Sequence, residues 1–241
     1  MAHDDDELPA AAQSILNACV QRRAGGEPLA YIAGHKEFFG LDLLVDDRVL
    51  IPRPDTETLV EWALEVLPAQ TPAMEPACVL DLGTGSGAIA LALKANRREL
   101  RICAVDVSED ALAVARENAK RLRLEIDFQQ GSWLSGVQEK YHAIVSNPPY
   151  IADQDPHLEA LGHEPAQALS SGADGLHDIR QIVFDASARL HSGGWLLLEH
   201  GFDQAETVRL LLSQAGFASI QSRQDLNGIE RCSGGRTAQY K

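Results

Sequence analysis

Between residues 78 and 199 short apolar runs alternate with segments of helical period, and that alternation restricts the fold more than anything else in the chain. Residues 78–82, 102–106, 125–129, 143–146 and 195–199 read as strands. Residues 88–95, 109–122, 179–190 and 204–215 read as helices, with apolar side chains three and four apart. Strands that are apolar at nearly every position are covered on both faces, as parallel sheets are. Right-handed crossovers then wind helices onto both sides. Segments 217–222 and 236–240 are expected to close the sheet as an antiparallel pair. The expected fold is therefore α/β, with a doubly wound, mostly parallel seven-stranded sheet.

The segment ahead of the sheet has a different character. Leu8, Ala12, Ile15, Leu16, Cys19 and Val20 fall on one face of a helix over 8–23, which Gly25-Gly26 would stop. Residues 31–34 are expected to begin an extended region. A β-hairpin is expected from 38–43 and 48–51, turning at Val45-Asp46-Asp47. Pro52 to Glu57 breaks it, and Asp55 or Thr56 can cap a helix with Leu59, Val60, Ala63, Leu64 and Leu67 on one face. Three prolines between 68 and 76 mark a linker. The expected organisation is a helical segment at 1–34, a linking β-hairpin at 35–52 and the α/β domain at 53–241.

Composition then narrows the function. The chain carries 35 acidic and 21 basic residues, a formal charge of −14. A protein that grips a nucleic-acid backbone over a long footprint needs clustered Lys and Arg, so no nucleic-acid partner is expected. The four cysteines stand far apart without a C-x-x-C pair, and the eight histidines show no ligand spacing. No metal is expected. The acidic start is followed by no apolar run long enough for a signal peptide or a membrane span, so the expectation is a cytoplasmic monomer with no membrane partner.

Two loops carry the chemistry. Asp81-Leu82-Gly83-Thr84-Gly85-Ser86-Gly87 joins the first sheet strand to its helix, and its glycines allow a tight turn and close approach of a ligand. Gly83, Gly85 and Ala88 also satisfy a loose dinucleotide template, and Asp106, 23 residues after Gly83, suits ribose hydroxyls. Nicotinamide enzymes and methyltransferases share that placement. The choice falls on S-adenosylmethionine (SAM) because Asp81 would repel a pyrophosphate but can hold an ammonium group, and Gly87 is one position early for the dinucleotide pattern. The second loop, Ser146-Asn147-Pro148-Pro149-Tyr150, follows the apolar run 143–145. Its two prolines end the strand, having no N–H to donate, and leave a stiff loop offering an amide, a bare carbonyl and a ring.

With Asp81-x-Gly83-x-Gly85-x-Gly87, Asp106 and Asn147-Pro148-Pro149-Tyr150 in order, the chain resembles the class I SAM-dependent methyltransferases that act on nitrogen conjugated to a π-system. Residues 51–57 (Ile-Pro-Arg-Pro-Asp-Thr-Glu), 26–31 (Gly-Glu-Pro-Leu-Ala-Tyr) and 196–201 (Leu-Leu-Leu-Glu-His-Gly) make it similar to the PrmC/HemK family. That family methylates the side-chain N5 of the glutamine in the Gly-Gly-Gln motif of bacterial peptide chain release factors. The resemblance implies that Asp81, Gly83, Thr84, Gly85, Ser86, Gly87, Asp106, Trp133 and Asn147 bind SAM. It implies that Asn147, Pro148, Pro149 and Tyr150 hold the substrate glutamine, with Asn147, Pro148 and Tyr150 catalytic. Many relatives have an acid just before the tryptophan, where this chain has Ser132. The family's N-terminal helical domain grips the release factor, and residues 1–34 read as its last part. Two rival readings are a DNA adenine-N6 methyltransferase and a SAM-binding homologue without turnover; a nicotinamide oxidoreductase stands third.

Overall fold

The structure is a computed structural model and describes residues 8–68 and 75–238. Two short helices, α1 (Ala10–Ala24) and α2 (Leu29–Ala33), precede the hairpin of β1 (His35–Phe38) and β2 (Leu41–Leu44) and the helix α3 (Glu57–Val66). The alternating part begins with β3 (Cys78–Leu82), α4 (Ala88–Asn96), β4 (Arg101–Asp106), α5 (Glu109–Leu122), β5 (Asp127–Gln130) and β6 (Tyr141–Ser146). It continues through α6 (His157–Ala160), α7 (His177–Ala186), β7 (Leu190–Glu199), α8 (Ala205–Gln214), β8 (Ala218–Gln224) and β9 (Glu230–Arg236).

The seven-stranded sheet runs β5-β4-β3-β6-β7-β9-β8. Six strands run the same way and β9 alone runs against them. Because side chains alternate along a strand, Ala143 and Val145 of β6 pack with Leu59 and Trp62 of α3 and Leu91 of α4. Ile144, between them, packs on the other face with Ile179 of α7 and Val208 of α8. A third, smaller cluster joins Tyr31, Val45, Val49 and Ile51 to Ala111 and Val114 of α5, and the Tyr31 hydroxyl donates to the Val49 carbonyl at 2.6 Å. The N-terminal segment is thereby held against the sheet domain beside the ends of β3 and β4.

Several expectations are corrected. Residues 31–34 are not extended: Tyr31 to Ala33 belong to α2, which ends in Gly34 at φ 77°. The hairpin turns at Phe39-Gly40, both with positive φ (50° and 77°), the geometry of a tight two-residue turn. Residues 48–51 are therefore outside it, and Val49 and Ile51 pack against α5 instead of pairing. Neither Asp55 nor Thr56 caps α3 with its side chain; a 3₁₀ turn at Pro54–Thr56 leads in. Residues 187–190 leave the helix, and Leu190 opens β7. The last strand is 230–236 rather than 236–240; residues 239–240 lie outside the described residues, as do 69–74 of the expected linker. Its Ser233-Gly234-Gly235 core hides the strand from pattern reading, but only glycine fits. A Cβ at Gly234 would stand 2.7 Å from the Leu196 carbonyl oxygen and 2.9 Å from Trp62. The helix α1 forms as the periodicity predicts, yet Ile15 is 66% and Val20 54% exposed, so its apolar residues are not buried.

Candidate active site

The order of strands reverses its winding between β3 and β6, and open α/β sheets bind ligands outside the strand ends at that point. Leu82 and Ser146 are paired across these two strands, and the Ser146 hydroxyl donates to the Leu82 carbonyl at 2.8 Å. The glycine loop and the Asn-Pro-Pro-Tyr loop therefore leave the sheet side by side. Gly83, Gly85 and Gly87 adopt φ of 69°, 56° and 85°, which bulkier residues resist. The amides of Gly83 and Thr84 donate to the Val105 carbonyl, and that of Gly85 donates to the Asp106 carboxylate at 2.8 Å. Asp106 also accepts from the Ser108 amide at 2.9 Å, and burial raises its pKa above the ordinary carboxylate value.

These loops border a cleft of about 270 Å³, lined by Gly83, Gly85, Asp106, Trp133, Asn147 and Pro149. Its other wall comes from residues 48–50 and from Pro165, Gln167, Ala168 and Asp178. Trp133, at φ 50°, donates from Nε1 to Asp178 at 3.0 Å and sets its ring against Gly83, where a Cβ would meet it at 3.2 Å. Ser132 lines the same cleft.

The other expected residues sit behind this surface. Asp81 is fully buried, accepting from the Thr84 hydroxyl at 2.7 Å and the Ala90 amide at 3.2 Å. Its second oxygen is buried with no hydrogen-bond partner among the described residues. Burial, with Asp106 nearby, pushes its pKa up to about 7. Thr84 and Ser86 are buried, and the Ser86 carbonyl accepts from Asn118 of α5 at 3.0 Å. A Cβ on Gly87 would meet Leu91 at 3.0 Å and Ala115 at 3.3 Å, so that glycine serves the packing of α4 on α5. Pro148 is buried, while Asn147, Pro149 and Tyr150 are half-buried.

Three features of the site escape sequence reading. Asp178, 45 residues beyond Trp133, reaches the cleft because α7 starts there. Glu164 accepts from the Ile51 amide at 3.1 Å and from the Arg53 guanidinium, joining the two segments that make the cleft's other wall. Thr56 and Glu199, each inside a family motif, meet beneath Asn147 and Tyr150. No local pattern announces contacts between segments so far apart. Among the described residues no group of three or more His, Cys, Asp or Glu could hold a metal ion, and no helix is long and apolar enough to cross a membrane.

Sheet order, glycine loop and Asn-Pro-Pro-Tyr loop together define a class I methyltransferase domain. The Methyltransferase small domain family matches residues 60–199, and the PrmC N-terminal domain family matches residues 1–34. The release factor glutamine methyltransferase of Coxiella burnetii is 48% identical over 95% of this chain and 82% of its own length. That of Burkholderia pseudomallei is 48% identical over 96% of this chain and 84% of its own. A methyltransferase of Pyrococcus furiosus shares the fold at a TM-score of 0.61 and 17% identity, covering 95% of this chain and 100% of its own. The chain belongs to the release factor glutamine methyltransferase family.

Proposed function

We propose that the protein transfers a methyl group from SAM to the side-chain amide nitrogen of the glutamine in a release factor's Gly-Gly-Gln motif. The observation that carries the reading is the pairing of Leu82 with Ser146, because it puts a cofactor loop and an amide-binding loop on one cleft. The residues present suit the cofactor. Asp81, buried beneath the glycine loop, accepts from Thr84 and shapes that loop, the Asp106 carboxylate at the cleft has lone pairs left for ribose hydroxyls, and the Trp133 ring offers a face to adenine. When bound, SAM supplies an electrophilic methyl group on a sulfonium.

The protein's task is to place the nitrogen. An amide nitrogen is a weak nucleophile because its lone pair is delocalised into the carbonyl. Asn147 Oδ1 and the Pro148 carbonyl each accept one N–H of the substrate, which orients the lone pair and stabilises positive charge growing on nitrogen. Such alignment contributes about 7–11 kcal/mol in well-ordered systems. Tyr150 packs on the amide plane, and Pro148 and Pro149 keep the loop from yielding. The segment 1–34 is assigned to docking of the release factor, ahead of the linking residues 35–52 and the catalytic domain from 53 onward. We assign the protein to the cytoplasm as a monomer, with a release factor as its partner.

The test is a mass measurement on a release factor after incubation with SAM and the enzyme. A gain of one methyl on the Gly-Gly-Gln peptide is expected. Methylation of duplex DNA in its place would overturn the reading. Asn147→Ala is expected to lose turnover while its SAM Kd, read by calorimetry, stays within about threefold; a parallel loss of both would assign Asn147 to the fold instead.

A further inference from the structure

Beneath the acceptor site runs a hydrogen-bond chain that the reaction as described leaves unused. Asn147 Nδ2 lies 3.2 Å from Thr56 Oγ1, and the Thr56 hydroxyl faces the Glu199 carboxyl group, whose charged form it favours. The Tyr150 hydroxyl makes a longer contact, 3.4 Å, to Glu199 Oε1. Glu199 ends β7 opposite Cys232, is 1% exposed, and has no partner for Oε2 among the described residues. The charges that face it are Asp55 and Arg231, themselves 3.4 Å apart.

The polarity of this chain follows from what each group can donate. A carboxylate only accepts, and a threonine hydroxyl has a single proton. Glu199 therefore accepts a hydrogen bond from the Thr56 hydroxyl, and Thr56 presents only lone pairs to Asn147. Asn147 must answer with its NH₂ group, which leaves Oδ1 turned toward the cleft. A flipped amide would set its oxygen against the Thr56 lone pairs and point two donors at a substrate that also offers donors. We propose that Glu199 is a positioning residue for methyl transfer, acting through Thr56 to keep the Asn147 amide oxygen aimed at the acceptor nitrogen. This rests on Asn147 being the ligand of the substrate amide. Burial raises Glu199 to about 7, but a proton added at the unpartnered Oε2 leaves Oε1 an acceptor, so the polarity holds on both sides of that pH.

The experiment compares Thr56→Val, which removes the hydroxyl and keeps the shape, with Thr56→Ser, Glu199→Leu and the Thr56→Val/Glu199→Leu double variant. Outer partners that orient a contacting group cost about 10–100-fold in activity when removed. The kcat for a release factor is expected to fall by about that much in the Val and Leu variants. Thr56→Ser should stay near wild type, SAM Kd should not move, and the double variant should be no worse than Glu199→Leu, because groups in one chain are not additive. Unchanged kcat in Thr56→Val, or additive losses in the double variant, would sink the proposal. If Glu199→Leu folds poorly, Thr56→Val decides alone. The side-chain amide NMR signals of Asn147 separate this idea from the assigned reaction. They should be protected from exchange in the wild type and lose that protection in Thr56→Val, even if the release factor were not the substrate; equal protection in both would refute the chain.

Discussion

Asp81 shows how one residue can be visible in the sequence and still have its chemistry decided by burial. As the first member of the glycine loop it reads as an acid available to a ligand, yet its side chain lies behind the loop with one oxygen unpartnered. Burial raises its pKa to about 7, against about 3.9 for an unfolded aspartate. Between those values the folded chain holds a proton that the unfolded chain has released, so folding stability falls as pH rises and levels off above about 7. His142 and His200, whose pKa values burial lowers, act in the opposite sense, losing stability as pH falls. The clean readout is therefore a difference. The Tm of Asp81→Asn minus that of the wild type should climb between about pH 5 and pH 7.5, since Asn has no proton to release. A flat difference would show that Asp81 is hydrated or paired in solution.

At the scale of elements, sequence patterns identify the strands packed on both faces, β3, β4, β6 and the end of β7, and also the more exposed outer strands β5 and β8. The hairpin and β9 are read wrongly for the same physical reason, that backbone conformation there depends on glycine and on close neighbours rather than on hydrophobic period. The Phe39-Gly40 turn has positive φ at both residues, and Phe39 is a poor advertisement for that geometry. In β9, Gly234 makes room for Leu196, Leu197 and Trp62, and Gly235 for Phe217 and Ile220. Gly234→Ala forces its Cβ onto the Leu196 carbonyl oxygen, backbone that cannot move aside. Overpacking of this kind costs about 1–3 kcal/mol. Urea unfolding should show a loss of that size at unchanged m-value; a neutral result would mean β7 and β9 separate at little cost.

The molecule as a whole builds its cleft from segments far apart in the chain. Glu164, 8% exposed, ties the segment at Ile51 and Arg53 to the segment before Pro165, and residues on both sides of this link line the cleft. A buried carboxylate with these two partners is a hinge pin more than a store of stability, because Arg53 keeps a third of its side chain in solvent. Glu164→Ala should speed backbone hydrogen exchange at residues 48–53 and 161–168 and weaken SAM several-fold while α4 and β3 exchange as before. Faster exchange throughout the sheet would show instead that the link supports the whole fold.

Alternating apolar runs and helical periods were enough to specify a parallel, doubly wound sheet, because burial on both faces demands that pattern and few other folds supply it. Glycines and prolines were enough to locate the two loops, because their backbone restrictions are local. The cleft itself was decided only in three dimensions. Crossovers bring Leu82 beside Ser146, α7 delivers Asp178 to Trp133, and β7 carries Glu199 under Thr56 and Tyr150. Those meetings depend on sheet order and register, which no stretch of sequence encodes alone.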